Sequence, residues 1–147
     1  MKEINGDLIQ LANQGLFDVI GHGCNCFCTM GAGLAVSMKH AFPEIIMADE
    51  CTRKGDKNKL GTFSHVDYGH LIVLNLYTQY KYSGPEVNAD YDAIRKCMQG
   101  IRKRYSGKCI GLPKIGAGLA KGDWSIISKI IEEELSDEDV TIVNYVK

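Results

Sequence analysis

The stretch Gly21–Ala35, GHGCNCFCTMGAGLA, decides the fold. An apolar run, Phe17–Ile20, ends just before it, and helical spacing of apolar residues begins inside it, at Ala32. Between them lies a turn of Gly and Cys holding one His and one Asn. A strand, a glycine turn and a helix start in that order make an anion site, because backbone N–H groups converge at a helix N-terminus and the peptide dipoles favour negative charge there. Gly111–Trp124, GLPKIGAGLAKGDW, repeats the plan. The two loops are expected to grip opposite sides of one phosphate-bearing ligand.

Outward from these loops, strands and helices alternate. Met1–Asn5 reads as a strand, and Asp7 can cap a short helix Leu8–Asn13 that Gly15 ends. After the first loop, Leu34, Ala35, Met38, Ala41 and Phe42 mark a helix, and Pro43 opens another to about Arg53. Lys54–Lys59 reads as a solvated turn. Thr62–Tyr68 and Leu71–Thr78 form a hairpin near Gly69, the second strand apolar enough to be covered on both faces. A long helix from Asn88 or Asp90 to Tyr105 follows, with Ile94, Cys97, Met98 and Ile101 inward. Lys108–Leu112 enters the second loop. Asp123 caps a helix Trp124–Leu135 with Ile126, Ile127, Ile130 and Ile131 inward, and Val140–Val146 closes the sheet. The fold class is α/β: a central, largely parallel sheet covered on both faces, with ligands beyond the carboxyl ends of its strands.

The bulk composition narrows the function. The chain has 147 residues, 45% hydrophobic and 24% charged, which fits one domain, 1–147, with its own core. The net charge of −1 supplies no global field for nucleic acid, so phosphate recognition must be local. The six cysteines read as reduced thiols, since no signal peptide is seen and a chain of this size needs no disulfides. A cytoplasmic location is expected. No apolar run approaches the roughly 20 residues that span a bilayer, so no membrane partner is expected.

Each site residue has an ordinary reading beside the functional one. Gly31 and Gly33 flank Ala32, and Gly116 and Gly118 flank Ala117. One such turn is a helix entry; two, each between strand and helix, point to a ligand. His22 can exchange protons near neutral pH or simply bond a carbonyl. Asn25 offers donor and acceptor to ribose hydroxyls. Cys24, Cys26 and Cys28 alternate and invite a metal site with His22, but structural zinc sites use CxxC-type spacing, so small buried thiols are the better reading. Nothing calls for a metal or a cofactor. Tyr77, Tyr80 and Tyr82 follow a central strand and can wall in a ribose or base.

Asn5-Gly6-Asp7-Leu8, HGCNCFCTMGAGLA and PKIGAGLAKGDW together resemble the macro domain family, in family order and over nearly the whole chain. The resemblance implies a three-layer α/β/α sandwich with a mixed central sheet that binds ADP-ribose. It implies that Asp7 bonds the adenine amino group beside the Leu8 backbone and that Asn25 holds the distal ribose. It further implies that Gly31, Ala32 and Gly33 line the distal ribose and phosphate, and that Ile115, Gly116, Ala117, Gly118 and Leu119 wrap the diphosphate. Many members carry Asn-Ala-Ala-Asn where this chain has His22-Gly23-Cys24-Asn25. A His there is similar to the branch that hydrolyses ADP-ribose 1″-phosphate, with His22 catalytic and Asp123 a partner carboxylate. The loops are also similar to those of a protein glycohydrolase branch, but its Lys and Asp positions hold Gln79 and Ala120 here, with Lys81 and Asp123 shifted. The leading expectation is phosphatase activity on ADP-ribose 1″-phosphate. The alternatives are a non-catalytic ADP-ribose-binding module and an ADP-ribosylhydrolase acting on modified protein or nucleic acid.

Overall fold

The computed structural model describes residues 1–146. Six strands, β1 (Lys2–Gly6), β2 (Val19–Cys24), β3 (Phe63–Asp67), β4 (Ile72–Tyr77), β5 (Cys109–Leu112) and β6 (Asp139–Tyr145), form one sheet in the order β1-β6-β5-β2-β4-β3. Only the β3–β4 hairpin is antiparallel; the other neighbours run parallel. This is the mixed, largely parallel sheet of an α/β sandwich. The helices are α1 (Leu8–Asn13), α2 (Leu34–Ala41), α3 (Glu44–Glu50), α4 (Tyr91–Tyr105) and α5 (Trp124–Glu134).

Alternation along the strands builds the three layers. Val19, Leu74, Leu76, Ile110 and Ile142 face α4 and α5, against Ile94, Met98, Ile101, Ile127 and Ile131. Their neighbours Ile20, Val73, Tyr77 and Val143 face the other way, against Leu8, Ala12, Met38 and Ile45 of α1, α2 and α3 and Phe42 between α2 and α3. Strands covered on both faces read as unbroken apolar runs, which is why Leu71–Tyr77 carries so little polarity. Three helices start on an aspartate: Asp7, Asp90 and Asp123 each accept backbone N–H bonds from the first turn.

Several expectations shift. β6 does not end the sheet: it lies between β1 and β5, leaving β1 and β3 at the edges. The helix expected from Ala32 begins at Leu34, and the one expected to reach Arg53 stops at Glu50. Ile126 is 43% exposed, because the inner stripe of α5 falls on Ile127, Ile130 and Ile131. Lys59 is not solvated but 7% exposed, in a 3-10 turn Lys57–Lys59 that folds back under the first loop. No helix among the described residues is long and apolar enough to cross a membrane.

The topology places the site. β2 sits between β5 and β4 and runs parallel to both. Loops leaving the carboxyl ends of β2 and β5 therefore emerge side by side, where the chain order reverses. Close packing holds β5 to its neighbours. A Cβ on Gly111 would stand 2.7–2.8 Å from ring carbons of Phe17. Gly111→Ala is therefore expected to destabilise the fold by about 1–3 kcal/mol through overpacking, read as a lower urea midpoint.

Candidate functional site

The two glycine loops close over one cavity of about 560 Å³ at the carboxyl edge of the sheet. Its lining takes His22, Gly23, Cys24 and Asn25 from the end of β2, and Gly31, Ala32 and Gly33 from the loop that follows. Ile115, Gly116, Gly118 and Leu119 come from the second loop. The loops touch: a Cβ on Gly33 would lie 3.0 Å from the Leu119 Cδ1 atom. Gly33 (φ 62°) and Gly116 (φ 75°) occupy the left-handed region, where a side chain would strain the turn.

The cradle is built from backbone. α2 starts at Gly33 with no side-chain cap on its first turn. The N–H groups of Gly31, Ala32, Gly33, Gly118 and Leu119 take no hydrogen-bond partner among the described residues. Among the described residues Lys114 is the one Lys or Arg on the lining, and its ammonium stands 5.8 Å from the centroid of the Trp124 ring. Tyr82, 60% exposed, stands on the opposing chain segment with Gln79. Charge recognition in this cavity therefore rests on amide dipoles and a helix end more than on cations.

Other expected site residues sit elsewhere or are already engaged. Asp123 does not join His22 at the cavity: its carboxylate is taken by Ser125, accepting from the backbone N at 2.9 Å and from Oγ at 2.7 Å, as the cap of α5. Those bonds hold its pKa below the ordinary carboxylate value. Asp7 and Leu8 also lie outside the lining. Asp7 Oδ1 caps α1 by accepting from Ile9 N (3.0 Å) and Gln10 N (3.1 Å), and Leu8 packs in the core. Ala117 turns from the cavity, its N–H donating to the Lys114 carbonyl. Asn25 lines the cavity but organises its own turn, donating to Thr29 O and Oγ1 and accepting from Phe27 N. Lys81, proposed as a shifted lysine, is exposed and pairs with Glu86 at 3.1 Å. Cys24 and Cys26 are buried and Cys28 half-buried; no group of three or more potential metal ligands assembles among the described residues.

His22 lies on the cavity floor, 1% exposed, with its Nε2 2.7 Å from Asn75 Oδ1. Asn75 Nδ2 donates to Ile45 O and Ser64 Oγ, each at 3.0 Å, so its oxygen must face the imidazole. That assigns the proton to Nε2 and leaves Nδ1 unprotonated. Burial lowers the imidazole pKa from 6.5 to about 4, with the Asn75 bond opposing it, so the ring is neutral at pH 7. Asn75 was missed from sequence, although a single polar residue inside the run Leu71–Tyr77 marks a buried partner.

The depressed His22 pKa has a consequence for stability. Between 6.5 and about 4 the unfolded chain binds the proton that the native chain refuses, so the stabilisation is complete above pH 6.5 and is lost as the pH falls toward 4. At about pH 5 the loss from this one group comes to about 2 kcal/mol. Urea unfolding of wild type and His22→Gln at neutral and acid pH should show the wild type losing more, by about that amount.

No family model matches the chain. Among characterised and uncharacterised proteins, an uncharacterized 17.5 kDa protein from the tk-vs intergenic region of Enterobacteria phage T4 is 38% identical, over 99% of this chain and 96% of that one. The DNA ADP-ribosyl glycohydrolase of Mycobacterium tuberculosis is 25% identical over 94% of this chain, which spans 40% of that protein's length. The ADP-ribose glycohydrolase OARD1 of Bos taurus is 26% identical over 97% of this chain and 88% of that one. Of solved structures, the macrodomain of Mycobacterium tuberculosis DarG superposes with a TM-score of 0.74 at 22% identity, covering 99% of this chain and 97% of that one. Thermosipho africanus DarTG in complex with ADP-ribose gives 0.76 at 18% identity, covering 99% of this chain and 41% of that one. With its sheet order, its paired glycine loops and these matches, the chain has the macrodomain fold and belongs to one sequence family with the phage T4 protein.

Proposed function

We propose that this macrodomain, acting as one unit, binds ADP-ribose in the cavity between its glycine loops and hydrolytically releases ADP-ribose from a modified macromolecule. One observation carries the binding reading: two loops far apart in sequence line a single hollow with unpartnered backbone amides. A diphosphate needs such a cradle. Hydrogen bonds to a charged group are worth about 1.5–3 kcal/mol each, so a few amides suffice without a basic patch.

In this reading Ile115–Leu119 wrap the diphosphate, and Gly31, Ala32 and Gly33 receive the distal ribose and phosphate. Asn25 presents the lone pair of Oδ1 that its turn leaves free to the distal ribose. Asp7 and Leu8 meet the adenine beyond the cavity's lining; the α1 cap uses only Asp7 Oδ1, leaving Oδ2 for the adenine amine. The hydrolytic half is supported by relatives named as ADP-ribose glycohydrolases. Release requires water at the anomeric carbon of the distal ribose and departure of the group it was joined to. Thr29, Asn25 and Gln79 are uncharged polar side chains on the lining that can orient that water.

A second reading keeps the phosphatase reaction on ADP-ribose 1″-phosphate, because His22 is on the same lining. A neutral imidazole can offer Nδ1 as base or nucleophile, but it has no extra proton to give a leaving oxygen at pH 7. Asp123 enters this reading only if α5 gives up its cap. The binding module without turnover is the limiting case of both.

Calorimetry with ADP-ribose tests the cradle. Wild type should bind, and Gly33→Val, which drives a branched side chain toward Leu119, should lose at least about tenfold in affinity. Chromatography of products separates the reactions. Free ADP-ribose from an ADP-ribosylated oligonucleotide or protein supports the glycohydrolase. Inorganic phosphate from ADP-ribose 1″-phosphate, abolished by His22→Ala, supports the phosphatase. Binding with neither product leaves the module.

A further inference from the structure

The first glycine loop stands on a buried cation. Lys59 enters from the turn after α3 and sends its ammonium beneath the segment that joins β2 to Gly31. There Nζ donates to the Cys26 carbonyl at 3.1 Å and lies 3.6 Å from Cys28 Sγ. It also sits 4.5 Å from the centroid of the Tyr77 ring. The Tyr77 hydroxyl donates to Asp49 Oδ1 at 2.7 Å and shares a 2.8 Å bond with Ser64, which reaches Asn75 and through it His22. One polar chain therefore runs under the loop from Lys59 to the cavity floor.

The loop needs that support. Cys28 holds φ at 57°, a conformation that L residues rarely adopt and that persists only where the surroundings over-determine it. The Cys26 carbonyl receives a second donor, Gly55 N at 2.6 Å, and Cys28 Sγ points to Asp49 O at 3.3 Å. Burying an ammonium is costly without charge and hydrogen-bond partners. A core that only needed filling would take an apolar side chain of the same length. Two of the partners Lys59 does take, the Cys26 carbonyl and Cys28 Sγ, belong to the loop.

We propose that Lys59 is a positioning residue: it fixes the Cys26–Cys28 turn so that the amides of Gly31–Gly33 stand ready for the distal ribose and its phosphate. This rests on the assignment of the cavity to ADP-ribose. Its signature is selective. The distal ribose falls to the first loop, and the diphosphate to the second, which Lys59 does not touch. Loss of Lys59 should therefore weaken ADP-ribose more than ADP, which lacks the distal ribose and keeps the second loop's hold on its diphosphate.

The test is calorimetry of the full chain with ADP-ribose and with ADP, beside urea unfolding. Lys59→Met is expected to bind ADP-ribose about tenfold more weakly, as loss of positioning does, and to lose clearly less for ADP. Lys59→Arg, which keeps charge and donors, should recover most of the loss. If Lys59→Met does not fold, Lys59→Gln is read in the same way. An equal loss for both ligands, or none for either, overturns the positioning role. Wild type that binds neither nucleotide overturns the assignment of the cavity itself, and the positioning role with it.

Discussion

Everything at the ligand edge depends on the parallel pairing of β2 with β5. Parallel neighbours end on the same side of a sheet, so the segments that follow them are forced together however far apart they lie along the chain. The Gly33–Leu119 approach is the visible result. Nothing local in either loop would hold it. Were β5 antiparallel to β2, its glycine loop would leave from the opposite edge and neither loop would have a partner.

The same edge explains why the underside of the sheet is polar where a core should be dry. Asn75, His22, Tyr77, Asp49 and Lys59 all lie on the face covered by α2 and α3. Each is buried, and each finds a partner: the imidazole in Asn75, the phenol in Asp49 and Ser64, the ammonium in the loop carbonyl. Burial raises the Asp49 carboxyl pKa, while the Tyr77 bond and the Lys59 charge pull it back. Fully satisfied networks of this kind specify one arrangement, because breaking any member strands a polar group away from water. On the opposite face, packed by α4 and α5, the core is almost wholly apolar. The asymmetry follows the loop that needs anchoring.

Much of this was legible in the residues themselves. Apolar runs flanked by glycine turns gave the strand–loop–helix units, Asp7 and Asp123 announced their helices as caps, and of Asn88 and Asp90 the structure takes Asp90. What stayed hidden was set by distant partners. Strand neighbours are not written in any local pattern, so β6 was placed last when it belongs inside the sheet. Lys59 sits in a run, KGDKNK, whose polarity reads as solvent, and only the folded chain brings the Cys26 carbonyl over it. Asn25 was expected to offer its amide to ribose hydroxyls, and both N–H bonds go to Thr29, four residues on. His22 and Asp123 suit an acid–base pair by type alone, yet the cap of α5 keeps the carboxylate and burial keeps the imidazole neutral.

The uncapped start of α2 and the bare amides around it have an effect beyond shape. The attraction of exposed lysine or arginine for an anion is a charge–charge interaction that dissolved salt screens. Oriented peptide groups carry no net charge, and much of their hold is short-range hydrogen bonding. Affinity for an anion in this hollow therefore falls less steeply with salt than at a lysine or arginine cluster, the helix-end attraction being screened all the same.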